Sequence, residues 1–158
     1  MAQVRAMVLR AAGINCDMET EYALQLAGAQ ACRIHINRII ENKKLLDEFQ
    51  IIVFPGGFSY GDDVAAGKIL AAQLVHHLYE PIQKFIDDGK LVLGICNGFQ
   101  VLVKAGILPG ISLANRRSLL ERQKVAAGTQ TSNTKYTLNT DVTITYNDSG
   151  KFEDRWVY

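Results

Sequence analysis

The chain has 158 residues, 48% of them hydrophobic and 21% charged, with 17 basic side chains against 16 acidic ones. So even a balance gives no electrostatic bias toward nucleic acid or an anionic membrane, and neither is expected as a partner. Three widely spaced cysteines, Cys16, Cys32 and Cys96, make neither a disulfide framework nor a zinc pattern, and no apolar run approaches the ~18 residues of a membrane span. With an N-terminus interrupted by Arg5 and Arg10, the chain reads as a cytoplasmic protein from a reducing compartment.

Residues 4–9 read as a first buried strand, 11–16 as a loop, and 18–27 as a helix with Asp17 as N-cap and Gly28 as stop. A second strand is predicted over 31–36 and a short charged helix over 42–49. Residues 51–54 form a continuous apolar run of the kind found in central parallel strands. After the loop 55–63 come a helix around 69–77, another begun by Pro81 and ended by Gly89, a strand over 91–95, and a helix from Asn97 that ends at Gly106. Strands alternating with helices predict an α/β fold with a doubly wound, mostly parallel sheet covered on both faces.

Beyond Pro109-Gly110 the character changes, and residues 114–136, first basic and then polar, read as a surface excursion. A further strand is predicted over 142–146, turning at Asn147-Asp148-Ser149-Gly150 into a strand-like run that ends in Trp156-Val157-Tyr158. Large apolar side chains at a terminus are ones that a native end would cover. The sequence is therefore read as a single domain, 1–158, incomplete at its C-terminus.

The chemistry concentrates at Gly94-Ile95-Cys96-Asn97-Gly98, where a strand hands over to a helix. A side chain on such a turn stands clear of the sheet, the helix N-terminus favours a thiolate, and the flanking glycines leave room for tight backbone and for substrate. The bland alternative is a buried structural cysteine. A second glycine turn, Gly56-Gly57, follows the strand at 51–54. If the two strands are neighbours, the backbone N–H groups of Gly57 and Asn97 converge on an oxyanion formed when Cys96 attacks a carbonyl.

Other groups weigh less. Gly61 to Lys68 superficially suggests a phosphate loop, but it is one residue too long and Ile69 replaces the required Ser or Thr. His76 and His77 read as a helix face, Asp62 and Asp63 as loop solvation or capping, and Cys16 as a small buried residue at a helix start. His35 is the one histidine placed to approach a loop end, so a cysteine hydrolase would have to use it. A non-catalytic binding module with phosphate-holding or partner-holding loops is the reading from a different class.

The turn Gly94-Ile95-Cys96-Asn97-Gly98-Phe99-Gln100 has the form Gly-x-Cys-x-Gly-x-Gln, and with it the chain resembles the class I glutamine amidotransferases. Three more blocks, Gly13 to Asp17, Phe54 to Asp62 and Asn147 to Val157, are similar to one branch of that class, the glutaminase subunits of a purine-biosynthesis synthetase. The resemblance implies a flavodoxin-like α/β sheet and attack by Cys96 on the side-chain amide of glutamine, with Gly57 and Asn97 as the oxyanion hole. It implies glutamine binding by Gln100, with backbone contacts from Trp156 and Val157. No cofactor or metal is implied in this chain. ATP and Mg are used by a large synthetase subunit, which takes the ammonia to convert formylglycinamide ribonucleotide to its amidine, and a small third subunit bridges the two. The family's remaining catalytic residues form a downstream His-x-Glu motif that these 158 residues do not contain. A truncated chain, inactive alone, is the expectation, with a degenerate subunit as the alternative.

Overall fold

The computed structural model describes residues 3–110 and 142–156. Four strands, β1 (Arg5–Arg10), β2 (Gln30–His35), β3 (Ile51–Phe54) and β4 (Leu91–Gly94), form one parallel sheet in the order β2-β1-β3-β4. The doubly wound α/β expectation holds. Helix α1 (Asp17–Leu26) joins β1 to β2 and packs on both strands. Helix α2 (Ile36–Glu41) and a 3₁₀ segment (Lys43–Glu48) lead back to β3. Between β3 and β4 run α3 (Lys68–Gln73), a π-helical turn (Leu74–Leu78) and α4 (Tyr79–Asp87), and α5 (Asn97–Lys104) follows β4.

The strand period of two divides the sheet into faces. Met7 and Leu9 of β1, Ile52 and Phe54 of β3 and Val92 of β4 pack into one core with Ile36, Leu46, Leu70, Leu74, Phe85 and Leu102 from the following helices. Ala6, Val8 and Val53 point to the other face and are fully buried. In β4 the register pairs Leu93 with Val53, which places Leu93 on that second face, where α1 packs chiefly on β2 and β1. Leu91 and Leu93 accordingly stay 63% and 48% exposed.

Several boundaries differ from the sequence reading, each for a local reason. Asp17 is not the cap of α1. Cys16 occupies that position without a side-chain cap bond, and Asp17, 6% exposed, sits in the first turn on ion pairs to Arg10 (2.8 Å) and Arg33 (3.3 Å). Helix α2 is missing from the reading because β2 passes into it with no loop, and its cap is the unusual His35, whose Nδ1 accepts from the Asn37 N–H at 3.2 Å. The helix expected over 42–49 is the shorter 3₁₀ segment, capped by Asn42. Residues 142–146 form no strand among the described residues, and Tyr146 is 93% exposed. Their alternation signals a face to bury, but a strand also needs a ladder partner. The turn at 147–150 is present, closed by a 2.8 Å bond from the Gly150 N–H to the Asn147 carbonyl. The excursion over 114–136 lies outside the described residues. Among the described residues no helix is long and apolar enough to cross a membrane.

Candidate active site

The sheet order creates a switch point. From β1 the chain moves outward to β2, and from β3 it moves the opposite way to β4, so the winding reverses between β1 and β3 and the loops leaving these two strands lie side by side. These two loops are tied together. The Phe58 N–H donates to the Gly13 carbonyl (2.9 Å), the Tyr60 N–H to the Ala12 carbonyl (2.7 Å), and the Cys16 N–H to the Gly56 carbonyl (3.3 Å). Gly57 lies at the centre of this clasp in a bridge with Ile14, at φ +138°, and a Cβ there would stand 2.8 Å from the Asn15 nitrogen. Only glycine fits.

Cys96 stands on the neighbouring turn, between β4 and α5. Its backbone, φ 51° and ψ −113°, lies where L-residues rarely go, at a cost of about 1–3 kcal/mol. The surroundings hold it there. The Ile95 N–H donates to the Phe54 carbonyl (3.0 Å) on one side, and on the other the Gly98 and Gln100 N–H groups donate to the carbonyls of Ile95 (2.8 Å) and Cys96 (3.1 Å). The side chain is exposed, so the buried structural cysteine is excluded.

The flanking glycines serve packing rather than substrate access. A Cβ on Gly98 would lie 1.9 Å from the Phe54 carbonyl oxygen, and one on Gly94 would lie 2.7 Å from Leu102 and 2.8 Å from the Phe99 Cα. The room foreseen for substrate is filled by the protein itself. It is the missing Cβ atoms that let α5 start directly on the end of β3.

A buried polar network fixes this turn to the loop after β3. Asn97, 2% exposed, accepts through Oδ1 from both the N–H (3.1 Å) and the hydroxyl (2.7 Å) of Ser59, itself 1% exposed. Through Nδ2 it donates to Asp62 Oδ1 (3.1 Å) and Gln100 Oε1 (3.2 Å). Its side chain is saturated, so only its backbone amide is left for a ligand. That amide belongs to the first turn of α5, which has no intrahelical acceptor. Asp62 also accepts from the Gly67 N–H (2.8 Å), so a carboxylate of the chain takes the amide that a phosphate loop would offer to its ligand.

Cys96, Gly57, Asn97 and Gln100 therefore gather at the carboxyl ends of β3 and β4. Gly56 joins the two turns, since a Cβ there would stand 3.5 Å from Cys96 Cβ. Trp156 lies on a segment without regular structure and is 97% exposed, while Val157 is outside the described residues. His35 ends β2, three strands from β4 and hence about 14 Å across the sheet. It is no partner for Cys96, and His76 and His77 are exposed on the π-helical turn. Cys16, expected to be buried, is exposed. Cys32 lies partly buried on β2, where burial pushes its thiol above the ordinary value, with Glu21 and Glu48 adding to the rise against Arg5 and Arg38. Among the described residues no group of three or more His, Cys, Asp or Glu could hold a metal. Ser59 is the positioning residue missed by the sequence reading, its one signal being its place within the glycine-rich loop, while Asp62, expected to solvate or cap the loop, takes the Gly67 N–H at the start of α3 and holds Asn97 as well.

A family model described as a CobB/CobQ-like glutamine amidotransferase domain matches residues 3–158. Phosphoribosylformylglycinamidine synthase subunit PurQ of Dehalococcoides mccartyi is 44% identical over 158 residues, covering 100% of this chain and 52% of the relative. The subunit of the same name from Treponema denticola is 41% identical over 152 residues, 96% of this chain and 52% of that one. The solved structure of PurLQS from Thermotoga maritima superposes with a TM-score of 0.57 at 35% identity, over 69% of this chain and 47% of that one. The chain thus spans about half the length of the curated relatives it matches. With a family match from residue 3 to residue 158 and a cysteine mounted at the switch-point end of a parallel sheet, the chain belongs to the CobB/CobQ-like glutamine amidotransferase domain family.

Proposed function

We propose that this chain carries the nucleophile of a glutaminase subunit of phosphoribosylformylglycinamidine synthase. The observation that supports this most directly is the exposed Cys96 at φ 51°, pinned beside the Gly56-Gly57 loop. Its sulfur attacks the side-chain amide carbon of glutamine. The carbonyl oxygen becomes an oxyanion, for which the N–H groups of Gly57 and Asn97 are the donors. Gly57 suits this because the clasp between the two loops uses the amides of Phe58, Tyr60 and Cys16, and not that of Gly57. Ammonia then leaves, a glutamyl thioester remains on Cys96, and water releases glutamate. Gln100 orients the glutamine, and Trp156 and Val157 contribute backbone contacts.

The departing ammonia needs a proton, and the incoming water must lose one. No histidine of this chain is placed for that, so the reading assigns both transfers to the family's His-x-Glu pair. The 158 residues alone are therefore expected to be acylated at Cys96 and to release glutamate slowly. In the full cytoplasmic assembly, ammonia passes to a large synthetase subunit that uses ATP and Mg, with a small subunit bridging the two.

A diazoketone analogue of glutamine tests the reading. It is expected to label Cys96 in preference to Cys16 and Cys32, and excess glutamine is expected to protect. Labelling spread evenly over the three cysteines, or unaffected by glutamine, would overturn it and favour a non-catalytic module.

A further inference from the structure

Three loops that the sequence separates widely meet at Gly56. A Cβ at that position would lie 3.5 Å from Cys96 Cβ, 3.6 Å from Cys16 Sγ and 3.8 Å from Cys16 Cβ. Cys16 thus turns its sulfur toward the position that Gly56 leaves empty, and Cys96 borders the same space. Both side chains are exposed, whereas Cys32 lies on β2 at the far edge of the sheet. We propose that Cys16 and Cys96 form a peroxide-responsive thiol pair, in which Cys16 closes on the oxidised nucleophile as a reversible intramolecular disulfide.

The geometry comes close to what the bond requires. The two contacts limit the Cβ–Cβ separation to about 7 Å, against about 3.8 Å in a disulfide, so closure asks for a shift of at most about 3.5 Å. Glycine at position 56 leaves open the space that Cys16 Sγ and Cys96 Cβ border. Cys16 sits where a loop enters α1, held to the β3 loop by the 3.3 Å bond from its N–H to the Gly56 carbonyl.

The chemistry balances with hydrogen peroxide as oxidant. The Cys96 thiolate displaces hydroxide from the peroxide, giving a sulfenic acid; the sulfur is oxidised by two electrons and the hydroxide takes a proton to become water. The Cys16 sulfur then attacks the Cys96 sulfur, the S–S bond forms as the S–O bond breaks, and the Cys16 proton leaves with the hydroxide as a second water. A dithiol returns both thiols. The disulfide removes the nucleophile from use, and it protects Cys96 from irreversible oxidation to the sulfinic acid.

The test is independent of glutamine hydrolysis, so its failure and that of the glutaminase reading are distinguishable. The folded chain is treated with hydrogen peroxide and its peptides are mapped without reduction. A Cys16–Cys96 peptide pair lighter by two hydrogens, Cys32 left free, and full return of Cys96 alkylation after dithiothreitol are expected. In Cys16→Ser and Cys16→Ala the same treatment carries Cys96 to the sulfinic acid, and dithiothreitol fails to restore alkylation. Equal over-oxidation of Cys96 with and without Cys16, or disulfides only between chains, would overturn the proposal, and the wild-type map decides even if neither variant folds.

Discussion

Ser59 donates two hydrogen bonds to a single oxygen, Oδ1 of Asn97, from its amide at 3.1 Å and its hydroxyl at 2.7 Å, with both residues buried. Through this pair the loop after β3 carries the turn that mounts Cys96, although the two residues are 38 positions apart in sequence. Truncating one side should cost less than truncating the other. Ser59→Ala removes the hydroxyl but leaves the amide bond, and is expected to lower stability by about 1 kcal/mol. Asn97→Ala leaves both Ser59 donors and the Asp62 oxygen short of a partner, for about 3 kcal/mol. Urea unfolding of both variants checks the order, and equal losses would show that the network does not act through Asn97.

Glycine positions separate steric from conformational cost. Gly98→Ala drives a Cβ to 1.9 Å from the Phe54 carbonyl oxygen, a backbone atom that cannot step aside. A loss of at least about 3 kcal/mol, or failure to fold, is expected. Gly89→Ala meets nothing within 4 Å but sits at φ +77°, so only the left-handed penalty of about 1–2 kcal/mol applies. Thermal melts of the two variants should differ clearly, Gly98→Ala being the worse.

His35 caps α2 and lies far from Cys96. His35→Ala is expected to cost about 0.5–1 kcal/mol through the lost cap and to leave the alkylation rate of Cys96 unchanged across pH. A changed pH profile for Cys96 would place His35 in the site after all.

Burial raises the Cys32 thiol above its ordinary value of 9.0, chiefly by desolvating the thiolate. The folded chain therefore holds this proton more tightly than the unfolded chain does. The stability linked to it is fully present below pH 9.0 and is lost as pH rises through the raised value. Alkylation of Cys32 followed from about pH 8 to 11 should show a midpoint above that of the urea-unfolded chain. Coincident midpoints would refute the shift.

Much of the layout was legible because parallel strands are short apolar runs. Residues 51–54 were bounded correctly, and the Cys96 turn was recognisable from glycines at fixed offsets. Local sequence misleads where a signal has two physical meanings. Asp17 has the chemistry of a cap, yet Arg10 and Arg33 draw its carboxylate into ion pairs. His35 has the chemistry of a base, yet it caps a helix at the sheet's other edge. The run 142–146 has the pattern of a strand, and no described strand pairs with it.

By itself the sequence determined the alternation of strands and helices, the cysteine at a strand-to-helix turn, and the family those residues resemble, since each is a local pattern read within a few positions. Only the tertiary structure decided which loops meet. The order β2-β1-β3-β4 brings the turns after β1, β3 and β4 to one edge, which puts Ser59 on Asn97 and both Cys16 and Cys96 beside Gly56. These contacts join residues tens of positions apart, and strand order, which local periodicity does not encode, decides between them.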